Sequence, residues 1–138
     1  QGKDKMKGGL KMKLLKCPIC GNVVEMIDDH GVPLMCCGKK MEVIEAGVVD
    51  AAVEKHLPVV SVDGNKLKVS VGDVSHPMTP EHFISNIWVE FETGNILRVA
   101  LTSNDQPEAS FDIAGKKGKA TVYEYCNLHG LWKTEIDL

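Results

Sequence analysis

From residue 58 onward, apolar and polar positions alternate in short runs, the period-two pattern of strands that bury one face. The alternation is clearest in Asn86-Ile87-Trp88-Val89-Glu90-Phe91-Glu92 and in Thr121-Val122-Tyr123-Glu124-Tyr125. It predicts strands over 58–63, 66–71, 86–93, 96–102, 109–113, 119–125 and 131–136. Tight turns separate several of them, at Asp63-Gly64-Asn65, Thr93-Gly94-Asn95 and Gly115-Lys116-Lys117-Gly118. No run sustains an apolar stripe over three helical turns. Only Asp50 to His56 and Thr79 to Ile84 suggest single helical turns, the second with Thr79 as cap and Pro80 in the first helical position. Seven short strands in about 80 residues predict an all-β unit, a seven-stranded immunoglobulin-like sandwich.

The preceding segment has a different texture. Residues 22–27 and 32–36 flank Asp28-Asp29-His30-Gly31, which predicts a hairpin with His30 as a solvated turn residue. Residues 41–45 could add a third short strand. So small a unit has little core and would lean on a bound metal for its fold. The expected organisation is therefore a flexible basic tail over 1–12, a small metal-bound β domain over 13–46 and the sandwich over 47–138.

Composition narrows the function classes. The 138 residues are 43% apolar and 25% charged, which excludes collagen-like and largely disordered chains. No apolar run approaches the ~18 residues of a membrane span, so no membrane partner is expected. Residues 1–16 carry six Lys and one Asp, so the chain's net charge of −3 leaves −8 on residues 17–138. An acidic body argues against nucleic acid as partner. No hydrophobic stretch follows the basic head as in a signal peptide, so the expected compartment is the cytoplasm, where thiols stay reduced.

Five Cys and five His are grouped rather than scattered. Cys17, Cys20, Cys36 and Cys37 fall within 21 residues, and four clustered thiols in a reducing compartment read as a tetrahedral zinc or iron site. Adjacent residues of an extended chain point to opposite faces. For Cys36 and Cys37 to share one ion, the backbone between them must leave strand geometry. The other donors map onto the sandwich. His56 precedes its first strand, His76 and His82 lie between the second and third, and Cys126 and His129 lie between the sixth and seventh. If strands alternate up and down, all three segments emerge at one pole. Four imidazoles and a thiolate are too many for closed tetrahedral zinc. They suit iron, with one octahedral position left open for a small molecule.

These motifs, in this order, closely resemble those of desulfoferrodoxins, the two-iron class of superoxide reductase. Cys17-Pro18-Ile19-Cys20-Gly21 with Cys36-Cys37-Gly38 resembles the family's desulforedoxin-like domain. Glu54-Lys55-His56-Leu57-Pro58, His76-Pro77-Met78, Glu81-His82 and Cys126-Asn127-Leu128-His129-Gly130-Leu131-Trp132 resemble its neelaredoxin-like catalytic domain. The resemblance implies two iron ions per chain. Cys17, Cys20, Cys36 and Cys37 would hold a rubredoxin-like iron. His56, His76, His82 and His129 would be equatorial ligands of a catalytic iron, and Cys126 its axial thiolate. Glu54 would take the sixth position in the ferric state, and Lys55 would lie near the open face. The implied reaction is one-electron reduction of superoxide to hydrogen peroxide, with rubredoxin as electron donor and a homodimer as the family's habit. The alternative is an iron electron-transfer protein without turnover.

Overall fold

A computed structural model of the chain describes residues 12–48, 56–72 and 76–138. The chain divides into two compact units, Gln1–Glu45 and Ala46–Leu138. The described residues contain strands, turns and bends but no helix, and therefore no helix long and apolar enough to cross a membrane.

In the first unit, strands β1 (Leu14–Lys16), β2 (Val23–Glu25), β3 (Met35–Cys36), β4 (Lys39–Lys40) and β5 (Glu42–Val43) are each two or three residues long. β1 is the centre of an antiparallel sheet of order β2-β1-β5, and β3 pairs with β4 alone. The expected hairpin of 22–27 with 32–36 does not form. Leu14 and Leu15 supply the apolar surface that β2 needs, and they are buried to 3% and 5% exposure. Met26 N–H donates to the Lys13 carbonyl, and the Lys13 ammonium meets the Asp29 carboxylate at 2.6 Å, so the chain after β2 follows β1. Residues 42–43 do add the third strand, on the other edge of β1. Among the described residues the core cluster is Leu15, Cys17 and Met41, flanked by Val24, Met26 and Cys36. At about 1.5–3 kcal/mol per fully buried aliphatic side chain, that is little to set against chain entropy. His30 is exposed, as expected of a turn residue.

The second unit is the sandwich. Its strands among the described residues are β6 (Pro58–Asp63), β7 (Lys66–Val71), β8 (Ile84–Phe91), β9 (Ile96–Ala100), β10 (Glu108–Asp112), β11 (Lys119–Cys126) and β12 (Gly130–Asp137). They form two antiparallel sheets of order β10-β7-β6 and β12-β11-β8-β9. Alternate residues meet between the sheets: Leu67, Val69 and Val71 from one, and Ile87, Val89, Phe91, Ala120 and Val122 from the other. This is the immunoglobulin-like plan with the fourth strand paired to the third, so that one sheet has three strands and the other four.

Strand polarity positions everything that follows. Pro58 at the start of β6 lies opposite Val71 at the end of β7, and Cys126 at the end of β11 lies opposite both Ile84 and Gly130. The segments holding His56, His76, His82, Cys126 and His129 therefore leave the sheets at one pole. The helical turn expected at 79–84 is instead a reverse turn. Thr79 and His82 exchange backbone hydrogen bonds of 2.9 and 3.0 Å, with Pro80 in the second position of the turn. A proline with fixed φ suits that position as well as it suits a helix start, so the same sequence served both readings. Most of the other expected helical turn, 50–56, lies outside the described residues.

Candidate metal centres

In the small unit the sulfur atoms of Cys17, Cys20, Cys36 and Cys37 all lie within 4.8 Å of one another. Cys20 and Cys36 Sγ are 3.7 Å apart. An ion with four thiolates at ~2.3 Å has tetrahedral edges of about 3.8 Å, so this spacing fits one metal. Cys37 makes the adjacent pair workable, because its φ of 54° turns the backbone out of strand geometry and Gly38 follows at 73°. A left-handed non-glycine residue is uncommon, and here it lets neighbouring thiols converge. Cys17 is buried, and its sulfur accepts the backbone N–H groups of Cys20 at 3.4 Å and Ile19 at 3.3 Å. Those donors, Cys20 first, lower its thiol to about 6. The negative charge then disfavours ionising its neighbours. Cys37 is pushed up to about 12 through its contacts with Cys20, then Cys17 and Cys36, and Cys36 is raised chiefly by Cys17.

At the pole of the sandwich the imidazoles form a closed ring. Successive centroids are 5.1 Å apart for His56–His76, 4.7 Å for His76–His82, 5.1 Å for His82–His129 and 4.8 Å for His129–His56. Every neighbouring pair is edge to face, with interplanar angles from 62° to 81°. Ring nitrogens of His56, His76 and His82 and the Cys126 sulfur lie within 4.8 Å of one another. His129 joins through Nδ1, 3.1 Å from His56 Nε2 and 3.8 Å from Cys126 Sγ. The ring is graded from inside to outside: His56 and His76 are buried, His82 is half-buried and His129 is exposed.

Each member is held by its own device. His76 Nδ1–H donates to the Pro77 carbonyl at 2.8 Å, which assigns the ligand role to Nε2. His82 sits in the turn closed by Thr79, whose hydroxyl also accepts the His82 N–H at 3.2 Å. Cys126 lies where the β11–β8 register slips by one residue, a bulge that re-aims the side chain at the sheet's end. The chain then reverses through Asn127, Leu128 and His129 to Gly130, whose φ of 87° suits glycine. Asn127 fastens that reversal to the neighbouring segment. Its Oδ1 accepts the Phe83 N–H at 2.9 Å, and its Nδ2 donates to the Glu81 carbonyl at 3.0 Å, bracketing His82. Trp132 stacks on His56 with centroids 4.9 Å apart and planes 14° from parallel.

The residue types fit metals in both places. Four thiols at tetrahedral spacing suit zinc or iron. Four imidazoles with a thiol at this spacing exceed what closed tetrahedral zinc takes and suit iron. The spacing of 3.1 Å between nitrogens of His56 and His129 is what adjacent ligands of one ion would show at bonds of ~2.1 Å. The donor sets are those of two iron sites. Glu54 and Lys55 lie outside the described residues. Sequence reasoning passed over Asn127 and Trp132 as working residues, although both stand in the Cys126–Trp132 motif. It also passed over Gly47, for which no local signal exists.

Comparison with known proteins agrees with this geometry. Residues 48–135 match the family model described as Desulfoferrodoxin, and residues 10–44 match the one described as Desulfoferrodoxin, N-terminal domain. A desulfoferrodoxin of Syntrophotalea carbinolica is 44% identical over 126 residues, covering 91% of this chain and 97% of the relative. A superoxide reductase of Pyrococcus abyssi is 41% identical over 103 residues, covering 62% of this chain and 88% of its own. The crystal structure of the superoxide reductase from Treponema pallidum superposes with a TM-score of 0.74 at 32% identity, covering 91% of this chain and 99% of that one. With both donor sets assembled and both halves of the pattern matched, the chain belongs to the desulfoferrodoxin family.

Proposed function

We propose that this chain is a superoxide reductase, in which superoxide, one electron and two protons give hydrogen peroxide. The observation that carries the reading is the closed ring of four imidazoles beside the Cys126 thiol, buried at His56 and open to water at His129. His56, His76, His82, His129 and Cys126 would hold a ferrous iron there, which would supply the electron and a coordination position for superoxide; the Cys126 thiolate would donate electron density to it. Cys17, Cys20, Cys36 and Cys37 would hold the other iron.

The substrate is an anion and the body of the protein is acidic. Lys55, next in sequence to the buried His56, supplies the local positive charge that guides superoxide to the pole. Distant acidic groups are screened beyond ~8–10 Å at physiological salt. Glu54, one residue further back, would be the carboxylate available to the iron in its ferric state, as the family resemblance implies. Rubredoxin as electron donor fits the one-electron reaction. Five cysteines that form no disulfide fit a reducing cytoplasm, and the sparse core of the small unit fits a homodimer.

The test is to add superoxide to the reduced, iron-loaded protein and measure peroxide. One peroxide per iron oxidised, with the ferric colour appearing faster than superoxide dismutates unaided, supports the proposal. Iron that stays ferrous while superoxide dismutates unaided would leave an electron carrier instead.

A further inference from the structure

Trp132 belongs to the sequence motif of the catalytic pole, yet it offers no ligand. Its indole lies flat against His56, 4.9 Å between centroids and 14° from parallel, and its Nε1–H donates to the His129 carbonyl at 3.1 Å. One side chain therefore holds one ring member by its face and the backbone of another by its edge. Those two members are themselves in contact, with nitrogens 3.1 Å apart.

Gly47 lies against the benzo ring of the indole. Its N–H donates to the Leu131 carbonyl at 2.8 Å and its carbonyl accepts the Lys133 N–H at 2.9 Å, so the backbone of residue 47 lies alongside Trp132 in a parallel bridge. A Cβ at position 47 would fall 2.6 Å from Cε3 and 2.7 Å from Cζ3 of the indole. Contacts under 3 Å are not tolerated, and Gly47, unlike Gly130, shows no left-handed φ. The glycine is there for space: it lets the backbone lie against the benzo ring of the same indole that stacks on His56.

We propose that Trp132, backed by Gly47, is a positioning residue for the imidazole ring: the stack fixes the plane of His56 and the indole hydrogen bond fixes the backbone of His129. The inference rests on the reading of the ring as the catalytic iron site. Residues behind metal ligands commonly change metal affinity by 10–100-fold when removed.

The test is a cycle of Gly47→Ala, Trp132→Phe and the double variant in the full two-iron protein. Phenylalanine lacks the part of the indole that a methyl at 47 would strike, so it retains a stacking ring and relieves the clash. The readouts are the rate at which a chelator removes the catalytic iron, and that iron's ferric absorption band and reduction potential. The four-cysteine iron's spectrum is the internal control. Gly47→Ala should release catalytic iron about 10-fold faster and move its band and potential, and the same change made in the Trp132→Phe background should do neither. Equal effects of Gly47→Ala in both backgrounds, or none in either, would overturn the proposal. If Gly47→Ala prevents folding, Trp132→Phe alone decides: loss of the indole hydrogen bond must then shift the potential and hasten release with unfolding temperature unchanged, and no shift refutes it. A parent protein that holds iron but makes no peroxide would instead sink the function.

Discussion

His56 and His129 are 73 positions apart in the chain, and their ring nitrogens meet at 3.1 Å. They do unequal work. His56 is 1% exposed and part of the packed pole, whereas His129 is exposed on the last reversal before β12. His129→Ala should abolish superoxide reduction by 100-fold or more and lose catalytic iron, while the metal-free protein unfolds within about 0.5 kcal/mol of the parent. His56→Ala should lose iron as well and cost the metal-free protein about 2–4 kcal/mol, the range for emptying a packed position. Iron analysis beside denaturant unfolding of the metal-free forms checks both, and equal stability losses would contradict the difference in burial.

Asn127 joins two segments that carry ring members on either side of it. Its amide exchanges hydrogen bonds with Phe83 and Glu81, and Cys126 and His129 share its loop. Asn127→Ala should cost about 1–2 kcal/mol and lower affinity for the catalytic iron by about 10-fold, leaving the four-cysteine site as it was. Asn127→Asp keeps the acceptor but loses the donor, and should fall between. Chelator competition followed by two-wavelength absorbance separates the sites; an unchanged catalytic band in Asn127→Ala would argue that the loop holds itself.

The sandwich and its metal pole were legible because they depend on alternation and strand order. Trp88, Val89, Glu90 and Phe91 show the period directly, and up-and-down succession alone sends His56, His76 and Cys126 to one end. The small unit was less legible because strands of two or three residues carry no period. Leu14 and Leu15 fall inside the expected 13–46 domain with no strand assigned to them, yet they form its central strand. The bend at Cys37 could be anticipated, since two neighbouring thiols cannot face one ion from a straight chain. Trp132 and Gly47 could not, because their relation depends on a bridge between residues 85 positions apart and on a clash that exists only in three dimensions.

Tyr123 and Glu90, both buried on adjacent strands β11 and β8, are joined by a hydrogen bond of 2.9 Å from the phenol to the carboxylate. Burial first, and then the Glu90 charge, raise the phenol's ionisation well above its ordinary range, so it stays a donor at any working pH. Tyr123→Phe should destabilise the protein by about 1–3 kcal/mol, with a drop in unfolding temperature of at least ~4 °C and no change in iron content. An unchanged unfolding temperature would mean that Glu90 is indifferent to this donor.

Metal uptake by the small unit should be steeply pH dependent. In the metal-free site Cys17 is an anion near neutrality, because its thiol is lowered to about 6, while Cys36 and Cys37 are raised above the ordinary thiol range and remain protonated. A metal ion must displace both of those protons to gain their sulfurs. Raising the pH removes the competing protons and strengthens loading; lowering it weakens loading, and below about 6 even Cys17 becomes a neutral thiol. Release of at least these two protons per ion corresponds to about 100-fold or more in apparent affinity per pH unit near neutrality. Titration with cobalt in the presence of a chelator, repeated across this range, gives the slope, and proton release into weak buffer gives the count. A slope near zero would show that all four sulfurs are already ionised before the metal arrives, contrary to the charge repulsion that this packing imposes.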